Sequence, residues 1–238
     1  MKLAGKRVGG VTAMRGHLKL LQNHIDVEGI LSDVTAGTVV IGVGHIIDQP
    51  GRETPRFPND RHLVEKIASE IKERLEELNA AVGYCSAASG VDLLFAQAMI
   101  DRGPELHVVL PFDANDFVTS SVDFEYNALA EWKERFDNVM AGAEEIHYAT
   151  EDKFLGDKIL FEFGINVVQG LAITQAKRLK TELVALVVYD TETSRKQGTG
   201  RFLDNWSSAN GRLSKIELSE ITSKFTDLKP TILGKPDR

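Results

Sequence analysis

Two stretches place small residues and hydroxyls where a strand gives way to a helix. The first, Gly83-Tyr84-Cys85-Ser86-Ala87-Ala88-Ser89-Gly90-Val91-Asp92, leads into a helical run containing Leu93, Leu94, Ala96, Ala98 and Met99. Small side chains at such a turn let backbone amides approach phosphate oxygens, and the helix N-terminus adds the positive end of its dipole. Ser86 and Ser89 supply hydroxyls, while Asp92, in the first helical turn, either caps the helix or bonds the neighbouring loop. A well-capped helix start is the plainer reading of Ser89 to Asp92. Cys85 falls inside this cradle, where thiol modification would report on occupancy. The second stretch, Lys196-Gln197-Gly198-Thr199-Gly200-Arg201, precedes a helix holding Phe202, Leu203 and Trp206. Alone it reads equally well as a surface loop, but two such loops on one sheet offer a diphosphate donors from two sides.

A third segment, Gly42-Val43-Gly44-His45, continues through Asp48, Arg52 and Arg56. It begins like a dinucleotide fingerprint, yet Ile47 stands where the third glycine belongs and no helix opens before about residue 59, so the fingerprint fails. Arg52 and Arg56 suit a phosphate or carboxylate, or pair with Glu53 or Asp60 at the surface. His45 suits hydrogen bonding to a base or ribose. Farther on, Thr119, Ser120 and Ser121 cluster ahead of an expected helix, as an N-cap or as ligand contacts, and Asp116 or Ser121 is in reach of a ribose. His62 is expected on a helix surface, and His107 and His147 within strands. None has a second ligand at metal spacing along the chain, so no metal is expected. There is no Gly-x-Ser-x-Gly elbow and no Gly-x4-Gly-Lys-Ser/Thr loop, which leaves serine hydrolase and P-loop NTPase readings unsupported.

The elements that must position these residues are legible from periodicity. Strands are expected at Thr38–Val43, Ala81–Tyr84, Leu106–Leu110, Glu145–Tyr148, Leu183–Tyr189 and Leu213–Leu218, with helices at about 59–78, 89–102, 121–141, 155–180 and 199–210. Alternation of this kind predicts an α/β fold, a Rossmann-like doubly wound sheet of about six mainly parallel strands with helices on both faces. Its ligand site belongs beyond the carboxyl ends of the strands. Leu63, Ile67, Ile71, Leu75 and Leu78 make one apolar stripe on the 59–78 helix, a packing face. Three segments are expected: a helical N-terminal extension at 1–37, the sheet domain at 38–220, and a C-terminal tail at 221–238, poorly ordered from Phe225.

Composition narrows the class. The 238 residues are 42% hydrophobic and 26% charged, and 28 Lys and Arg against 35 Asp and Glu give a net charge of −7. Cys85 has no partner in the chain, which excludes an internal disulfide and favours a reducing compartment, the cytoplasm. Runs such as Val39–Val43 and Val184–Tyr189 are too short to span a bilayer, so no membrane partner is expected. A pI near 5.4 leads to the further expectation of no nucleic acid partner, while a local basic pocket for a phosphorylated small molecule stays allowed.

The run GYCSAASGVDLLFAQAMIDRGPELHVVLPF resembles the SLOG superfamily, which joins the DNA-processing Smf proteins and the LOG phosphoribohydrolases. The order GHIIDQPGRETPRFP, GYCSAASGVDLLF, HVVLPFDANDFVTSSV, then LVALVVYD with KQGTGRFLDNW, resembles SLOG-like domains of bacterial signalling proteins. Such domains accompany TRAFs-binding, tetratricopeptide-repeat or nucleotide cyclase regions. The resemblance covers about residues 36–220. It implies a Rossmann-like fold that binds a nucleotide or nucleotide-derived ligand, such as an ADP-ribose-like, NAD-related or cyclic nucleotide molecule, as a ligand sensor in signalling or defence. The implied positions are Gly44 and His45, then Ser86, Ser89, Gly90 and Asp92, then Gly198 and Thr199. LOG enzymes carry a catalytic Glu three residues after the Gly-Thr pair. Phe202 stands there instead, and Asp204 is two residues further on, so LOG-type hydrolysis is not expected.

Three functions remain open. The first is a nucleotide-binding sensor acting on an effector domain, a partner protein or a second copy of the chain. The second is an enzyme cleaving a nucleotide N-glycosidic bond, with Asp48, Asp92 or Asp116 as general base or oxocarbenium stabiliser. The third is a structural interaction module.

Overall fold

Runs of Val, Ile and Leu buried on both faces build the centre of a parallel sheet, and shorter, mixed runs build its edges. In the computed structural model, which describes residues 37–49, 51–53, 55–123, 131–190, 198–208 and 211–226, the strands are β1 (Thr38–Gly44), β2 (Ala80–Cys85), β3 (Glu105–Leu110), β4 (Glu145–Tyr148), β5 (Leu183–Tyr189) and β6 (Arg212–Glu217). They form one sheet in the order β4-β3-β2-β1-β5-β6, and every pairing is parallel. Val39, Val40 and Ile41 of β1 and Val184 to Val188 of β5 are fully enclosed. β4, at the sheet's edge, has no buried residue: Glu145 and Tyr148 are exposed and Ile146 and His147 half-buried. The α/β, Rossmann-like architecture expected from the alternation is the one observed.

Seven helices are found among the described residues: α1 (Arg61–Glu77), α2 (Val91–Arg102), α3 (Ala114–Ser121), α4 (Glu131–Gly142), α5 (Ile159–Leu179), α6 (Thr199–Ser208) and α7 (Leu218–Thr226). From β1 to β4 the chain steps outward in one direction; from β4 it returns across the sheet to β5 and continues to β6. With a constant right-handed crossover, a reversal of direction moves the connecting helices to the opposite face. Accordingly α1, α2 and α4 pack on one face around Phe95, Ile67 and Phe136. α5 and α6 pack on the other around Val168, Ala172, Phe202 and Trp206. The two winding directions part between β1 and β5, the topological switch point where such sheets bind ligands.

Four expectations need correction. The helix expected at 121–141 is instead α3 and α4, with 124–130 outside the described residues. The Asp113 carboxylate accepts from the N–H groups of Asn115 and Asp116 and starts α3 early. Thr119, Ser120 and Ser121 therefore end a helix and cap none. The domain boundary drawn at 220 falls inside α7, whose Leu218 is buried and which packs on α1 and β5. Lastly, counting uninterrupted apolar runs overlooked α5, whose 21 residues are long and apolar enough to cross a membrane by length and composition. In this fold it lies across β1, β2, β3 and β5. The expected 1–37 extension, apart from Gly37, and the end of the tail lie outside the described residues, as do Lys196 and Gln197.

Candidate functional site

Glycines bring α2 close to the sheet and thereby set the floor of the site. A Cβ on Gly42 would stand 2.3 Å from the Phe95 ring and one on Gly44 2.5 Å from Val91, so only glycine admits this approach. Gly90, at φ +100°, is held against the β1 loop: its Cβ would meet the His45 carbonyl at 2.6 Å. Ile46 and Gly90 form a bridge. Ile47 N–H donates to the Ser89 carbonyl, Val91 N–H to that of His45, and Ser89 N–H to that of Ser121. The loops after β1, after β2 and at the end of α3 are thus one hydrogen-bonded unit.

Above that floor lies a cleft of about 360 Å³, lined by Gly44, His45, Arg56, Ser86, Asp92, Ser121, Gly198 and Thr199 on its polar side. Phe117, Phe161, Ile165, Val168 and Phe202 form its apolar side. Its size and its mixture of walls are those of a small-molecule site. His45 is buried and sits at the switch point, where its Nε2 accepts from the Asp190 N–H at 3.1 Å. That acceptor role places the imidazole proton on Nδ1. Burial, helped by the nearby Arg56 charge, lowers its pKa to about 4 against the opposing pull of Asp190, so the ring is neutral at pH 7. The Thr199 hydroxyl donates to the Gly44 carbonyl at 3.1 Å and fastens the start of α6 to the end of β1. Gly198 takes φ +59° immediately before it, and Gly198, Thr199 and Gly200 line the cleft.

Two further ionisable groups in the cleft are shifted from their ordinary behaviour. Asp92, in the first turn of α2, is pushed up to about 7 by removal from water, which the Ala88 N–H only partly offsets. Burial also lowers the pKa of Arg56, with the Arg52 charge adding to the effect, and Arg56 Nε has no hydrogen-bond partner among the described residues. A cationic fork with an unsatisfied donor, in a cleft that a helix N-terminus also lines, is chemistry for an anion.

Other residues read from the sequence are placed differently. Arg52 lies outside the cleft and pairs with Asp48 at 3.3 Å. The Asp48 carboxylate accepts from the N–H groups of Arg56 at 2.6 Å and Phe57 at 2.8 Å, so it shapes the loop that presents Arg56. Asp116 accepts from the Phe154 N–H at 2.8 Å and anchors the 149–158 loop. Ser89 and Gly90 knit the loops beneath the cleft and do not line it. Of the three carboxylates considered for catalysis, only Asp92 lines the cleft. Phe202 occupies the position of the LOG-type Glu as a buried wall residue, and Asp204 is exposed. Cys85 is fully buried, and its thiol is pushed well up by burial and by Asp92. It is unsuited to report on occupancy. The apolar wall from α5 went unrecognised in the sequence, because its residues lie some 75 positions beyond Ser86. The structure also brings His107, Glu145 and His147 together across β3 and β4, a convergence that spacing along the chain does not reveal.

No family model and no curated protein matches the chain. Among solved structures it is similar to DNA processing protein A from Streptococcus pneumoniae, with 12% identity and a TM-score of 0.35, covering 80% of this chain and 62% of that one. It is also similar to DNA processing protein A from Helicobacter pylori, described for its single-stranded DNA binding mode, with 15% identity and a TM-score of 0.36, covering 84% of each chain. The chain therefore spans 62% of the length of the Streptococcus protein. One expectation is overturned here: a single-stranded DNA binder is among the neighbours, and the exclusion of nucleic acid on the ground of acidity is withdrawn. Net charge sums the whole surface, whereas a groove of local cations and amides decides binding.

Proposed function

We propose that the cleft at the β1–β5 switch point binds a phosphate-bearing, nucleotide-type ligand. The phosphate meets Arg56 and the amides at the start of α6, and the base lies against Phe117, Phe161 and Phe202. The observation that carries this reading is the unsatisfied Arg56 Nε in a cleft that the start of α6 also lines and whose other wall is apolar. His45, held neutral, and Asp92, near its titration midpoint at pH 7, contribute hydrogen bonding to ribose or base. Binding there fastens or releases the α6 end, as a ligand sensor in signalling or defence requires.

Calorimetry of the full chain against AMP, ADP-ribose, NAD, a cyclic nucleotide and a short single-stranded DNA tests the proposal. The expected result is saturable binding of at least one, weakened roughly tenfold or more by Arg56→Ala, the loss of a charge-assisted hydrogen bond. No binding across the panel overturns it. The raised pKa of Asp92 favours a second reading, N-glycosidic cleavage with Asp92 as proton donor. Release of free base that Asp92→Asn abolishes would establish turnover.

A further inference from the structure

From the convergence of two imidazoles and one carboxylate across the β3–β4 edge, we propose that His107, His147 and Glu145 form a binding site for a first-row divalent transition metal, of the Zn²⁺ class. His107 and Glu145 are register partners on adjacent parallel strands, and His147 lies two residues further along β4 on the same face. Three atoms define the site. His107 Nδ1 is 3.5 Å from His147 Nε2 and 3.7 Å from Glu145 Oε2, and His147 Nε2 is 3.5 Å from the same carboxylate oxygen. The centre of so nearly equilateral a triangle, its edge divided by √3, is about 2.1 Å from each corner, the Zn–N and Zn–O bonding distance. The His107 and His147 rings lie within 18° of parallel with centroids 5.7 Å apart, so the two nitrogens face each other across the site.

The surroundings prepare the ligands. His107 is buried and its ring stacks on Tyr84, centroids 4.7 Å apart and planes 11° from parallel, which fixes its orientation. Its other nitrogen, Nε2, faces Glu105 Oε1 at 3.6 Å and has no hydrogen-bond partner, as is also true of Glu105 Oε2. This buried and unsatisfied pair is the outer half of a carboxylate–histidine–metal arrangement. A proton on Nε2 directed at Glu105 leaves the Nδ1 lone pair for the ion, and a bound cation strengthens the Nε2–H donor. Imidazole and carboxylate together select Zn²⁺, Fe²⁺, Co²⁺ or Ni²⁺ over Mg²⁺ and Ca²⁺, which prefer all-oxygen sets. Glu145 is 59% exposed at its side chain, so the remaining coordination position opens to solvent and takes water. The site is distinct from the cleft, none of whose lining residues it shares.

The test uses the full chain, stripped with a chelator and titrated separately with Zn²⁺, Co²⁺ and Mg²⁺. The expected result is one equivalent of Zn²⁺ or Co²⁺ bound at micromolar concentration or tighter, with Co²⁺ giving the visible absorption of a low-coordinate ion, and no comparable binding of Mg²⁺. His147→Ala and Glu145→Gln alter residues at the open edge and should each weaken Zn²⁺ at least tenfold, in a protein whose circular dichroism is unchanged. Because His17, His24 and His62 also ligate zinc in principle, the variants decide the location. Zn²⁺ binding that both variants leave intact overturns the proposal, as does the absence of binding by the native chain.

Discussion

Replacing Asp92 by Asn removes a carboxyl that the fold keeps protonated far above the ordinary aspartate range. Its pKa rises from 3.8 unfolded to about 7 folded, so the folded state holds the proton more tightly. The stabilisation from that proton is complete below pH 3.8 and is lost as pH rises through about 7. Between pH 5 and pH 8 the loss amounts to about 2.5 kcal/mol, equivalent to roughly 5–10 °C in Tm for a chain of this size. Asn cannot ionise and escapes this loss. The assay is thermal unfolding of the native chain and of Asp92→Asn at pH 5, 6, 7 and 8. The quantity read is the difference in Tm between the two proteins at each pH, since other titrations act on both and cancel. That difference should move in favour of the variant by the stated amount, with about half of the change between pH 5 and pH 6 and little of it above pH 7. A difference constant to within about 2 °C across the series would refute the reasoning, because Asp92 would then ionise as freely in the cleft as in the unfolded chain.

The remaining predictions concern the parts that hold the cleft. His45, lowered to about 4, contributes stability that is present above pH 6.5 and lost as pH falls through 4. It amounts to about 3 kcal/mol in full, and comparison with His45→Asn by urea unfolding at pH 7 and pH 4 should show the dependence only in the native chain. Gly42→Ala drives a methyl to 2.3 Å from the Phe95 ring and should cost about 1–3 kcal/mol by overpacking, read as a lower urea midpoint at unchanged slope. Asp48→Ala strips the acceptor from two backbone donors and should cost about 2 kcal/mol. It should also weaken phosphate-ligand binding in calorimetry, since the loop presenting Arg56 loses its anchor.

The sheet was legible because its strands are runs of β-branched and apolar residues, and tertiary contacts had only to confirm the local preference. Ala81 to Tyr84 and Leu183 to Tyr189 have no competing helical pattern. α1 was equally plain, since one apolar stripe and an Asp60 cap leave little choice. Where local signals were shared, the reading slipped. The hydroxyls of Thr119 to Ser121 look the same before a helix as after one, and only the Asp113 cap distinguishes the two. α7 follows β6 without a turn, so no glycine or proline marked the change of period at Leu218.

The cleft was half legible for a related reason. Gly44, His45, Ser86, Asp92, Gly198 and Thr199 all follow strands at their carboxyl ends, and a parallel sheet gathers such positions whatever its strand order. The order decides what stands opposite them. Placing β5 beside β1 sets Asp190 against His45 and Thr199 against Gly44, and crossing α5 to the second face supplies Phe161 and Ile165. None of this is encoded in spacing. The triad of His107, Glu145 and His147 depends more strictly still on register: a shift of one residue between β3 and β4 would turn Glu145 and His147 to the opposite face from His107. Chemistry at strand ends can thus be read from a sequence once a parallel sheet is recognised. Chemistry across a pair of strands requires the pairing itself, and the same acidic chain can carry an anion site at one end of its sheet and a cation site on its edge.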